Sequence, residues 1–487
     1  MKIVLAGSGQ TVSHWTPEDG VEAAPSPTTL RAEAARRALG AVREVDALAV
    51  VRTTEDSIPT SPFPMGRDAN PPGTLARDLG LTVKTAIYHK PGGQSPQELA
   101  SEMANRIADG EFDSALVVGA EATAALKAAT RAGLTLDWAD DADMEFEDRG
   151  TDLSWVSPAE LAHGLITPMQ YYGLMERRLA HQMGHGRDAH RRAMAELFAP
   201  FSDVAHANPY SQFPAAHSVA ELVTPSATNY PVADPYLKWH VAQDAVNQGA
   251  AVLLMSEAKA DALGLGDRVY LQGGGNAADT WLSQRPDLAR SRAMHAAMDL
   301  ARGATGFGEL AQLDLYSCFP VAVWNGLDAL DDRPDIPLTV TGGLPFFGGP
   351  GNNYPLHAIA EMFARLKATD GTGLVLANGG WTSKEAVGIY SGAPVEFVPV
   401  ETAPTPTDIV ELVPEGQGGI ETYTFTRSRD GSPKLGTAFV RASGGERILA
   451  TVSGDALSRL ADLDDASIGA PVTVTTGNGV GQLAFEG

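Results

Sequence analysis

The sequence predicts an α/β protein of two similar halves, with a lobe inserted between them and a small β-barrel after them. Three observations carry this prediction. Up to about residue 120, near-continuous apolar strands alternate with helical patterns, which marks a mainly parallel sheet covered on both faces. The alternation lapses over residues 124–245 and then resumes. After Pro394 the apolar period falls to two, and Asp-Gly, Ser-Gly-Gly and Gly-Asn-Gly turns divide short runs, as in a small all-β domain.

Taken in order, residues 2–6 read as a first buried strand; MKIVLAGSG is too short for a secretory leader. Residues 28–39 are a helix ending at Gly40, 45–51 a strand, 74–79 a short helix and 81–88 a strand. After the turn PGGQS, residues 97–108 are a helix with Leu99, Met103, Ala104 and Ile107 on one face, and 112–118 a strand. The insertion holds helical patterns at 168–185 and 187–198 among loops rich in Pro, Asn and Tyr. Strands are then expected at 249–255, 268–272, 312–316 and 373–376, and helices at 257–263, 288–302, 319–330 and from about 355 to 366. Runs at 421–425, 436–440, 447–452 and 472–476 read as barrel strands. The expected units are 1–123 with 246–265, the lobe 124–245, the second half 266–394 and the barrel 395–487.

Charge and composition exclude several functions. With 36 basic and 60 acidic residues the formal net charge is −24, so neither nucleic acid nor an anionic membrane is an expected partner. One cysteine, Cys318, rules out an internal disulfide framework and a cysteine-rich zinc site, and fits a reducing, cytoplasmic compartment. No apolar run approaches the roughly 18 residues of a membrane span. No His, Asp or Glu spacing matches a metal motif, so no metal is expected. The acidic stretch 137–148 lacks the glycine and final glutamate of an EF-hand and reads as an exposed loop. QGGGN at 272–276 follows a strand but lacks G-x-G-x-x-G spacing, and G-x-S-x-G is absent.

The densest signal is 341–354, TGGLPFFGGPGNNY, with five glycines, two prolines and two asparagines. Such a run demands backbone angles that ordinary residues resist, or a backbone that another group approaches closely. Around it stand NQGAAVLLMSEAKA (247–260) with LGLG (263–266), IADG (107–110), ALVVGAE (115–121), LYSCF (315–319), GGLPFFGGP (342–350) and ANGG (377–380). These resemble, in family order and across about residues 1–395, the motifs of the thiolase superfamily. The resemblance implies the thiolase fold, a duplicated five-layer αβαβα core. With the added C-terminal domain, an OB-like β-barrel, the chain is similar to type-1 thiolase-like proteins, often labelled acetyl-CoA acetyltransferases. It further implies the acyltransferase class, lipid metabolism, an acyl-CoA or related thioester as ligand, no other cofactor, and a monomer or homodimer.

The departures from the family pattern bear on chemistry. Thiolase catalysis uses a cysteine thiolate at a helix N-terminus, a histidine beside it and a second cysteine for α-carbon protons. The resemblance places these at Gly93, Gly349 and Ala377, none of which carries a group for acyl or proton transfer. Tyr316 stands where the family has Asn or His, and could donate to a thioester oxygen or serve as acid/base; the alternative is a packed strand-end tyrosine. Cys318 is either a relocated nucleophile or a buried, inert thiol. Asn353, Tyr354 and Asn378 could hydrogen-bond a thioester or satisfy the glycine turns. His206 and Asn208, in AHANPY of the lobe, are candidates for the acyl-CoA channel or for an Asx-Pro turn and a surface histidine. Two rival functions remain: retro-aldol cleavage of a β-hydroxyacyl-CoA with Tyr316 as acid/base, and a non-catalytic acyl-CoA binder or scaffold.

Overall fold

The computed structural model describes residues 1–58, 63–152, 154–331 and 334–485. Residues 486 and 487 of the expected barrel lie outside this range. The first half holds β1 (Ile3–Val12), α1 (Pro27–Leu39), β2 (Ala47–Val50), α2 (Pro71–Leu79), β3 (Thr85–Tyr88), α3 (Ser95–Ala108), β4 (Ser114–Ala122) and α4 (Thr123–Ala132). The lobe holds β5 (Glu147–Asp148), α5 (Pro158–Ala162), α6 (Pro168–Gln182), α7 (Arg187–Ala207), α8 (Val219–Val223), β6 (Pro231–Ala233) and β7 (Tyr236–Leu237); β8 (Asn247–Ser256) and α9 (Glu257–Ala262) then complete the first half. The second half holds β9 (Val269–Ala278), α10 (Arg292–Thr305), β10 (Leu310–Leu315), α11 (Pro320–Leu330), α12 (Tyr354–Leu366), β11 (Thr372–Gly379), β12 (Lys384–Ser391) and β13 (Glu401–Thr402). The barrel holds β14 (Gly416–Arg427), β15 (Pro433–Ala442), β16 (Arg447–Val452), α13 (Gly454–Leu463), β17 (Pro471–Gly477) and β18 (Val480–Phe485).

The two halves repeat one winding. In the first, β3, β2 and β4 run parallel, and β8 and then β1 add antiparallel. In the second, β10 and β11 run parallel, and β12 and then β9 add antiparallel. Ile3 pairs with Leu271 across β1 and β9, so the halves share one continuous sheet. α3 and α12 lie between the strands of the two halves: Leu99, Met103, Ile359 and Met362 pack there with Val117, Val252, Leu271 and Val375. α1 and α2 cover the outer face of the first half, and α10 and α11 that of the second. The order is therefore helix, sheet, helix, sheet, helix.

Three departures from the sequence reading have local causes. QGGGN does not follow a strand but continues it, as part of β9. A Cβ on Gly274 would strike the Val387 carbonyl on β12, and one on Gly275 the Ala297 carbonyl on α10, so close packing demands the glycines. α7 does not stop at 198 but passes through Pro200 to Ala207, because Phe198, Phe201 and Ala205 are buried in the outer core of the second half. That burial outweighs the lost backbone bond, about 3 kcal/mol. β12 gave no strand signal: its Lys384, Glu385 and Gly388 break the apolar alternation, yet seven of its eight residues are buried between β11 and β9.

The C-terminal strands form a closed barrel in the order β14-β15-β16-β18-β17 and back to β14, with α13 between the third and fourth strands and β16 parallel to β18. This is the five-stranded OB arrangement. The lobe is not free of it: Ala233 on β6 pairs with Thr426 on β14, and Phe439 and Leu449 of the barrel pack with Tyr171 and Tyr172 of α6.

Candidate functional site

The site forms where the start of α3 in the first half meets the strand ends of the second. Gly92, with φ +147°, turns the chain into α3, and the Ser95 N–H donates to the Gly92 carbonyl at 3.0 Å. The Gly92 N–H in turn donates to Asn352 Oδ1 at 2.9 Å, so the glycine-rich loop does reach this helix end. A Cβ on Gly93 would strike the Asn378 carbonyl and stand 2.5 Å from the Tyr316 hydroxyl. The space a side chain at 93 needs is thus filled by the tyrosine.

Tyr316 and Cys318 lie between β10 and α11, both buried. The Tyr316 hydroxyl has no hydrogen-bond partner among the described residues, and burial pushes its ionisation well up, so it is a neutral donor. A buried tyrosine hydroxyl ordinarily finds a partner. Cys318 Sγ lies 3.8 Å from Asn378 Nδ2. Burial pushes its thiol up to about 12, the reverse of what a thiolate nucleophile needs. The Tyr354 ring meets Tyr316 edge-on, with centroids 5.5 Å apart, but the Tyr354 hydroxyl is 2.6 Å from Thr341 Oγ1. Beneath them the buried Asp314 carboxylate accepts from Thr339 Oγ1, the Val340 N–H and Thr341 Oγ1.

The remaining sequence candidates are distributed unevenly. Asn378 is in the site: its amide donates to the Tyr172 hydroxyl at 2.9 Å, and its Oδ1 accepts from the Thr382 N–H. Asn353 donates to the Gly119 carbonyl at 2.8 Å, at the back of the loop. A Cβ on Gly349 would meet Ala242, Gln243 and Leu344 at ordinary contact distance, away from Tyr316. Asn208 donates to the Thr341 carbonyl at the start of the loop, whereas His206 is exposed beside the Pro214 carbonyl. Ala377 is buried in β11, with its cross-strand partner Ala386.

Other residues complete the site without having been singled out in sequence. Tyr172, from α6 of the lobe, stacks on Phe319 with centroids 4.3 Å apart. Trp381 stacks on Tyr171 at 4.7 Å. Buried Arg285 donates to Thr382 Oγ1 at 2.6 Å and to the Trp381 carbonyl at 3.0 Å. Glu385, on β12 opposite Asn378, is 1% exposed. Only Trp381, beside the Asn-Gly-Gly turn, carried a local signal; the others come from segments far apart in the chain. Among the described residues no group of three or more His, Cys, Asp and Glu side chains could hold a metal ion. None of the described helices is long and apolar enough to cross a membrane.

A repeated α/β winding around two central helices, with one helix start facing the strand ends of the other half, defines a thiolase-fold protein, here extended by a closed barrel. The family described as "Thiolase-like protein type 1 additional C-terminal domain" matches residues 398–478. Over 99% of both chains, the protein is 35% identical to a monomeric SCP2-thiolase-like protein type 1 from Mycobacterium smegmatis, with a TM-score of 0.81. The chain belongs to the SCP2-thiolase-like protein type 1 family. It also resembles in fold an acetyl-CoA acetyltransferase from Syntrophomonas wolfei (16% identity, 80% of this chain and 99% of that one, TM-score 0.56). A third neighbour in fold is an Ltp2–ChsH2(DUF35) aldolase (15% identity, 80% and 98% coverage, TM-score 0.57). No curated protein sequence matches the chain.

Proposed function

We propose that this protein binds an acyl-CoA or related thioester at the start of α3 and acts on it by proton transfer, without an acyl-enzyme. The observation that carries this reading is the hydroxyl of the buried Tyr316, without a hydrogen-bond partner among the described residues, in the space a side chain on Gly93 would occupy. On the thiolase resemblance, Gly93, Gly349 and Ala377 replace the acyl-carrying and proton-carrying groups, and the protonated Cys318 is no substitute. What remains is a donor hydroxyl beside a helix N-terminus, which stabilises negative charge on a thioester oxygen.

An enolate-forming carbon–carbon lyase uses such a donor and needs no nucleophile. Retro-aldol cleavage of a β-hydroxyacyl thioester is therefore the reaction class the geometry favours over acyl transfer. The thioester is the only ligand this reading requires, with no separate cofactor. The protein acts as a monomer, as its Mycobacterium smegmatis relative is described. A single buried cysteine suits a cytoplasmic setting.

The test is a calorimetric titration with CoA and several acyl-CoAs, followed by intact-mass measurement. Heat of binding is expected with an unchanged protein mass, and Tyr316→Phe should keep binding within a few-fold while losing turnover. An acyl adduct on Cys318 would restore a covalent route. No heat and no thermal shift with any thioester would remove the reading altogether, and unaltered turnover by Tyr316→Phe would take that residue out of the mechanism.

A further inference from the structure

Unsatisfied polar atoms gather at the hairpin joining β11 and β12. Among the described residues, Trp381 Nε1, Ser383 Oγ and both carboxylate oxygens of Glu385 are buried without a hydrogen-bond partner, as is Gln94 Oε1 at the start of α3. Buried polar groups are nearly always paired, so an accumulation within five residues of chain marks a place prepared for something other than the protein's own groups. The hairpin is also held out of its easiest shape: Trp381 and Thr382 both have φ of +58°, a left-handed conformation costly for either residue type. Stacking of Trp381 on Tyr171, and the Arg285 bonds to Thr382 and Trp381, hold it there.

Register aims the hairpin at the site. Glu385 is the cross-strand partner of Asn378, and directly opposed side chains on neighbouring strands share a face. Asn378 on that face touches the Tyr172 hydroxyl and Cys318 Sγ. A negative charge on Glu385 would raise the ionisation of Tyr172, Tyr316 and Cys318, which places all three within its electrostatic reach.

We propose that Glu385 is the second proton-transfer group of this site and that its ligand is an acyl thioester bearing a hydroxyl on the β-carbon. This deepens, and rests on, the thioester reading above. The Glu385 carboxylate takes the β-hydroxyl proton; the O–H electron pair forms a carbonyl; the Cα–Cβ bond breaks. Its electron pair becomes the thioester enolate, whose oxygen accepts from the Tyr316 hydroxyl. Glu385 then returns a proton to Cα, so the enzyme ends as it began and no co-reactant is consumed. A plain alkyl chain would leave the carboxyl without a partner. Burial pushes the Glu385 carboxyl well above the ordinary range, and the Arg285 guanidinium opposes that shift. A raised value is the direction in which a carboxylate becomes a competent base near neutral pH.

The second half of the cycle is testable alone, because its reverse removes an α-proton from a simple thioester. Propionyl-CoA is incubated with the protein in D2O, and deuterium at Cα is followed by NMR, with binding measured by calorimetry. Wild type is expected to exchange. Glu385→Gln should exchange at least about a hundredfold more slowly while binding within about twofold, and Glu385→Asp should recover part of the rate. The wild-type rate should rise with pH through one ionisation that Glu385→Gln lacks; Arg285, Asp279, Tyr172, Tyr316 and Cys318 are the titratable groups around it. A purely structural Glu385 predicts lost thermal stability; since no hydrogen bond is removed, the melting temperature should hold or rise. Binding with no exchange by wild type, or undiminished exchange by Glu385→Gln, would overturn the proposal. If Glu385→Gln fails to fold, Glu385→Asp decides on the same criteria, undiminished exchange again overturning it. Absence of binding by the unaltered protein is a separate outcome, which removes the thioester reading and this proposal with it.

Discussion

Gly93 shows how one position limits what a site can hold. Its hydrogen stands where a Cβ would collide with a backbone carbonyl and with the Tyr316 hydroxyl, so the site has no room for a side chain there. Placing a thiol there with Gly93→Cys is therefore expected to destabilise the protein by about 1–3 kcal/mol and to produce no acyl-enzyme. Denaturant unfolding together with intact mass after exposure to acetyl-CoA checks both; a stable, acetylated variant would sink the argument. Asp314 gives a second test. Burial pushes its carboxyl up to about 6, whereas in the unfolded chain it titrates near 3.8. The folded state thus keeps the proton to higher pH, so this residue favours folding most below pH 4, and the benefit is lost as pH rises through 6. Relative to wild type, Asp314→Asn should gain up to about 3 kcal/mol between pH 4 and pH 7. Parallel stability curves for the two proteins would show that Asp314 does not titrate there. The sequence pointed to Gly93 through the thiolase resemblance, which implies a thiol at that position. That Tyr316 stands against Gly93 could not be read from a chain in which the two lie more than two hundred residues apart.

Elements carry the next level of constraint, and the barrel reaches the site through one of them. Arg447 on β16 is fully buried; it binds both oxygens of Glu421 at 2.8 Å and donates to the Ser283 and Arg285 carbonyls at 2.6 and 2.9 Å. The segment it grips is the one from which Arg285 clamps the Trp381–Thr382 turn. Arg447→Ala leaves Glu421 with only Arg441 and two carbonyls without their donor. A loss of about 3–5 kcal/mol in urea unfolding is expected. A loss under about 1 kcal/mol would mean that the barrel is docked by its apolar contacts alone. α1 was legible to within a residue because its caps are local: Ser26 accepts from the Thr29 N–H to start it, and Gly40 ends it, whereas α2 begins three residues and α3 two residues before the sequence reading, and α4 was not read. β12 was not legible, since its burial is conferred by neighbouring strands rather than by its own alternation; β18 was missed although its buried and exposed residues alternate. α13 was also missed, its ten residues lying among hairpin signals.

Across the whole molecule, the lobe and the barrel belong together more than the order of the chain suggests. β6 of the lobe extends the barrel sheet, and Tyr172 of the lobe closes over Asn378, so the added domain braces the wall of the site. By itself the sequence determined the duplicated α/β core, the insertion, the barrel and the presence of a glycine just before α3. These follow from periodicity, turn residues and residue identity, which are local properties. Only the tertiary structure decided that the Tyr316 hydroxyl fills the space beside Gly93, that Asn352 rather than Asn353 reaches α3, that His206 is exposed, and that Glu385 is buried without a hydrogen-bond partner among the described residues. Those facts depend on which distant strands share a face and how closely two backbones approach, and the side chains of one segment carry no record of either.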